Sequence, residues 1–111
     1  MNKQFTFKGM EHSAALENYA NELLGKIEEF LKNEQEKEPI YIRICFDAEE
    51  THHHHGIEFD LKSPLYDLHV HEEGPDMYKL VNDVTDIMYA RLRREKEKHV
   101  DTWKTGAKKR E

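Results

Sequence analysis

The chain has 111 residues, 36% of them charged, a single cysteine and a formal net charge of −6. That length supports one domain with a two-layer core, and the lone Cys45 excludes a disulfide scaffold. No apolar run reaches the length of a membrane span and the N-terminal stretch lacks the apolar centre of a signal peptide, so a cytoplasmic protein with no membrane partner is expected.

In chain order, Phe5 and Phe7 alternate with polar residues and predict a short strand ending before Gly9. Ser13 reads as an N-cap, and Leu16, Ala20, Leu23, Leu24, Ile27 and Leu31 follow at helical spacing, predicting a helix from Ala14 to Lys32 with an acidic outer face. The run ending at Pro39 is a polar linker. Ile40, Ile42, Ile44 and Phe46 then alternate with Tyr41, Arg43, Cys45 and Asp47, the cleanest strand signature in the chain. Beyond the loop AEETHHHHG, Ile57, Phe59 and Leu61 point one way and Glu58, Asp60 and Lys62 the other. A turn at Ser63-Pro64 leads to a fourth strand with Tyr66, Leu68 and Val70 inward and Asp67, His69 and His71 outward.

Gly74 and Pro75 break that strand, and Asp76 caps a helix that carries Met77, Val81, Val84, Met88 and Leu92 on one stripe. From Arg91 onward the apolar stripe gives way to Arg and Lys, so the far half of a segment roughly 35 Å long leaves the core and projects positive charge. Residues 1–90 carry 8 Lys and Arg against 19 Asp and Glu, a balance of −11, whereas residues 91–111 carry 9 against 4, a balance of +5. An acidic body holding out a basic extension points to an anionic partner.

The element order is strand, helix, three strands, helix. One apolar face per strand and one stripe per helix close a single core only if both helices cover the same side of the sheet. The predicted fold is therefore α+β, β-α-β-β-β-α, a four-stranded mixed sheet with both helices on one face. Residues 1–100 are expected to form the domain and residues 101–111 a basic, mobile tail.

Thr6 to Lys8, Glu11, Ser13, Ala15-Leu16, Tyr19, Lys26 to Phe30, Gly74, Asp76-Met77-Tyr78, Asn82 and Leu92 together resemble the ribosome hibernation factor family, the short ribosome-associated inhibitors also known as sigma-54 modulation proteins. The Asp-Met-Tyr motif is its most specific mark. The resemblance implies a fold similar to a double-stranded-RNA-binding domain. It also implies a monomeric translation inhibitor that binds ribosomal RNA phosphates of the small subunit and occludes the messenger and transfer-RNA channel under stress. Carried over by position, the implied RNA-binding residues are Lys8, Lys26, Arg93, Arg94, Lys96 and Lys98, with Arg91 beside them. Where the family shows Lys or Arg, this chain has Glu17, Leu23, Glu29, Ile87 and Ala90. Each missing cation removes about 0.7 to 0.9 from the logarithmic salt slope of binding, which shifts the expected weight onto residues 91–98 and the tail.

The four histidines His52 to His55 raise a metal hypothesis. If the third and fourth strands, joined by the turn at Ser63-Pro64, pair with inward residues facing one another, Glu58 comes opposite His69 and Gly56 opposite His71, and the candidate ligands are His54, His69, His71 and Glu58. A solvated sheet face without metal is the favoured expectation, because adjacent histidines on a strand point to opposite faces. No Gly-rich phosphate loop, zinc-protease helix or nucleophile elbow is present, and Cys45 has no neighbouring base, so neither an enzyme, a cofactor nor a small-molecule substrate is expected. The alternative to the ribosome reading is a protein-interaction module on the same fold with reduced RNA affinity, one that could bind metal through its histidines. It would use the exposed sheet face (Tyr41, Arg43, Cys45, His69, His71) or the acidic first helix.

Overall fold

A computed structural model describes residues 1–34, 36–48 and 54–110, with side chains described through Lys98. The elements are β1 (Asn2–Lys8), α1 (Ala14–Asn33), β2 (Tyr41–Asp47), β3 (His55–Lys62), β4 (Asp67–Gly74) and α2 (Met77–Arg110). The strands lie in the order β1-β2-β3-β4, with β1 parallel to β2 and the other neighbours antiparallel. This is the mixed four-stranded sheet that the sequence predicts.

Local chemistry fixes the element ends. Gly9 turns the chain out of β1 at φ +66°, and a Cβ there would meet the Ala48 carbonyl oxygen at 2.1 Å, so only glycine fits. Ser13 caps α1, its Oγ accepting from the Leu16 amide at 3.2 Å. Asp76 caps α2 by accepting from the amides of Tyr78 and Lys79 at 3.0 and 3.3 Å.

The core joins Leu16, Ala20, Leu24, Ile27 and Leu31 of α1 and Leu80, Val81, Val84, Met88 and Leu92 of α2 to the inward residues of the strands. Both helices therefore cover one face of the sheet. They also run in the same direction. Tyr19 meets Tyr78, Lys26 meets Asp86, Phe30 meets Tyr89 and Glu34 meets Lys96, so partners advance together along both chains.

The register of the other face differs from the expected one by two residues. Glu58 pairs with His71, Asp60 with His69 and Gly56 with Glu73. The cause is the turn: Ser63 and Tyr66 bracket Pro64 and Leu65, with the Ser63 amide donating to the Tyr66 carbonyl at 2.7 Å and the Tyr66 amide to Ser63 Oγ at 3.1 Å. Proline's fixed φ suits the second position of a β-turn, which puts the turn centre one residue later than Ser63-Pro64. β3 also begins at His55, inside the stretch expected as loop. His52 and His53 lie outside the described residues, as do the side chains of the tail expected over 101–111.

Strand register and alternation lay out the open face as four rows across the sheet. Asn2, Tyr41, Lys62 and Asp67 form the first; Gln4, Arg43, Asp60 and His69 the second. Thr6, Cys45, Glu58 and His71 form the third, and Lys8, Asp47, Gly56 and Glu73 the fourth.

Candidate nucleic-acid interface

The seam between α1 and α2 gathers three of the expected cations around two aromatic rings. Lys26 Nζ lies 5.3 Å from the centre of the Tyr89 ring and Arg93 Cζ 5.9 Å from the same ring, while Lys96 Nζ lies 6.0 Å from the centre of Phe30. The rings meet edge to face at 6.0 Å. A cation over an aromatic face is attracted by the ring quadrupole, so the rings hold these heads at defined places on the surface.

Two of the three cations are also paired with carboxylates. Lys26 reaches Asp86 and Lys96 reaches Glu34, each at 2.5 Å. Lys26 and Asp86 are 41% and 70% exposed at the side chain, so water screens their attraction. Such pairs are worth at most about 1 kcal/mol, and a phosphate can take the place of the carboxylate at little cost. Sequence reading missed Asp86, Glu34 and the two rings. Tyr89 had a signal, since it sits one helical turn before Arg93; the acids did not, being far from their partners in sequence.

The remaining expected contacts are dispersed. Arg94 and Lys98 extend the basic run along α2; Lys98 meets Glu95 at 3.4 Å, while Arg94 has no charged partner among the described residues. Arg91 faces the sheet instead, its Nη1 donating to the His69 carbonyl at 2.6 Å and fastening α2 to the outer edge of β4. Lys8 stands level with Glu73, at the end of the sheet where α2 begins. Arg93 lies 16 residues further along α2, about 24 Å away along the axis, so the fold does not bring Lys8 to the seam. Of the positions where family cations are missing, Leu23 and Ile87 are half-buried against the core, and Ala90 and Glu29 are exposed.

The candidate metal ligands do not converge. His54 and His71 each meet Glu73 at 3.3 Å, His71 Nδ1 stands 3.8 Å from Glu58, and His69 bonds Asp60. Among the described residues no three His, Cys, Asp or Glu side chains form a group that could hold a metal ion. Partial burial pushes the Asp60 carboxyl up, but the His69 and Arg43 donors outweigh it and hold the group below its ordinary value. Hydrogen bonds from His54 and His71 hold Glu73 low as well. Cys45 is buried on this face, and desolvation pushes its thiol up, away from the reactive thiolate.

No helix among the described residues is long and apolar enough to cross a membrane. A comparison with curated proteins returns no match. Among solved structures, the fold is similar to a ribosomal subunit interface protein from Coxiella burnetii, with a TM-score of 0.67 and 22% identity over 87% of this chain and 99% of that one. It is also similar to the N-terminal domain of Protein Y from Thermus thermophilus, with a TM-score of 0.70 and 16% identity over 85% of this chain and 98% of that one. The model of the family described as sigma 54 modulation protein / S30EA ribosomal protein matches residues 4–100. With the Asp-Met-Tyr helix start, the shared fold and a match over nearly the whole domain, the chain belongs to the sigma 54 modulation protein / S30EA ribosomal protein family.

Proposed function

We propose that this protein binds the small ribosomal subunit through RNA phosphates and blocks the messenger and transfer-RNA channel, restraining translation under stress. The observation that carries the reading is the gathering of Lys26, Arg93 and Lys96 around Tyr89 and Phe30, continued by Arg94 and Lys98 along α2. Membership in a family described as ribosomal protein supports it, as does the fold shared with a ribosomal subunit interface protein. In mechanism the protein does no chemistry. It replaces counterions on the RNA with fixed ammonium and guanidinium groups, and its helical layer fills space that messenger and transfer RNA need. Lys8 and Arg91 contribute less, the first by distance and the second because it is engaged with β4.

A translation assay with purified ribosomes tests this. The intact protein lowers output in proportion to its occupancy of the small subunit, and the Arg93→Gln, Arg94→Gln, Lys96→Gln combination abolishes both effects together. Binding and inhibition that survive the triple change contradict the reading. The Asp86 and Glu34 pairings favour a second reading, a protein-interaction module with reduced RNA affinity. It predicts capture of a protein partner with little salt dependence and no effect on translation.

A further inference from the structure

The β1–β3 part of the first two rows of the open face lines a half-open cavity of about 320 Å³, which opens on the side of the sheet opposite the α1–α2 seam. Its principal groups are Asn2 and Gln4 from β1, Tyr41 and Arg43 from β2, and Asp60 and Lys62 from β3. The volume falls in the range of small-ligand sites, roughly 300 to 1,000 Å³.

The internal bonding of these groups is uneven. Arg43 donates to Asp60 at 2.9 Å, and Asp60 also bonds His69, so the guanidinium is held in place with other N–H donors left over. The side-chain amides of Asn2 and Gln4, the Tyr41 hydroxyl and the Lys62 ammonium have no hydrogen-bond or ion-pair partner among the described residues. Tyr41 is 51% exposed and its ring stacks on nothing among the described residues. The β3–β4 side of the same face is different: Glu58 and Glu73 are matched by histidines.

We infer that this cavity is a second ligand site, one that takes a nucleoside phosphate. Tyr41 offers a flat ring on which a nucleobase stacks, an interaction every base can make. Asn2 and Gln4, two residues apart on one strand face, each carry a donor and an acceptor and can meet the hydrogen-bonding edge of a base. Lys62 and the free N–H groups of Arg43 are cations for the phosphate, the planar guanidinium suiting its paired oxygens. Asp60 orients Arg43 through the 2.9 Å bond between them. The ligand is either a free nucleotide or one unit of an RNA strand. The site is independent of the proposed ribosome contact, because none of its residues lies on α1 or α2.

Backbone-amide NMR titration of the full chain tests the inference, with adenosine 5′-monophosphate, a short oligouridylate and inorganic phosphate as separate probes. The expected result is that the monophosphate shifts the amides of Asn2, Gln4, Tyr41, Arg43 and Lys62 and leaves the α2 amides near Arg93 still. Tyr41→Ala should weaken that binding about tenfold, the scale of one lost base stack. Lys62→Gln should weaken it further at low salt. Both residues are exposed, so the variants keep the spectrum of the folded protein, and both should still co-sediment with ribosomes as the parent does. Shifts at the same amides with the oligouridylate alone assign the site to an RNA strand and also support it. Absence of shifts with every probe overturns the inference, as does inorganic phosphate binding as tightly as the nucleotide, or nucleotide shifts confined to the α1–α2 seam.

Discussion

Asp60 accepts from the Arg43 guanidinium and from the His69 ring on the open face, and the two donors keep its carboxyl below the ordinary value of 3.8 despite partial burial. A carboxylate with a depressed folded pKa contributes stability at pH above its unfolded value, and that contribution is lost as pH falls through the folded one. Urea midpoints measured downward from pH 5 should therefore fall more steeply for the parent protein than for Asp60→Asn. Parallel curves would show that the pairing does not bear on folding. Asp76 is simpler, because its bonds to Tyr78 and Lys79 are local. Asp76→Ala should cost about 1 kcal/mol of unfolding free energy by urea denaturation, with the m-value unchanged. The cap was legible in the sequence since it depends on a few neighbouring residues. The Asp60 partners were not, because they come from two other strands in a register that a single turn decides.

Among the elements, the core strands and both helices were readable from periodicity, and the residues expected inward, such as Ile42, Ile44, Phe46, Val81 and Val84, are buried. The β3–β4 hairpin departs from the expected register by two residues, since a one-residue shift of the turn centre moves every cross-strand partner by two. That shift dissolves the expected set of His54, His69, His71 and Glu58 into separate imidazole–carboxylate contacts. The α1–α2 seam was half legible: the cations stand out in the sequence, while the acids opposite them meet only after folding. If Asp86 and Glu34 restrain Lys26 and Lys96, the Asp86→Asn, Glu34→Gln double variant should bind small subunits more tightly. Its logarithmic salt slope should steepen by up to about 1.4 to 1.8, for two more phosphates neutralised. Its stability should change little, since Lys26–Asp86 is exposed and Glu34, though partly covered, still faces water. Unchanged affinity and slope would remove both lysines from the interface.

At the scale of the whole molecule, a body 61 × 24 × 17 Å in extent carries Arg93, Arg94, Lys96 and Lys98 on the later described turns of α2. On the proposed reading, the balance of −11 over residues 1–90 disfavours non-specific contact of that part with RNA, and the balance of +5 over residues 91–111 favours contact through the later part of the chain. In the proposed binding mode, like charges on residues 1–90 and RNA repel at distance, which favours approach with α2 leading. Co-sedimentation of the parent protein with small ribosomal subunits across a salt series is the measurement that bears on this charge layout without an intermediate step. Binding that is strong in dilute buffer and falls steeply with salt, at about 0.7 to 0.9 in logarithmic slope per seam cation engaged, is the predicted result. A protein that stays in the supernatant even at low salt, or pellets equally at every salt concentration, would contradict it.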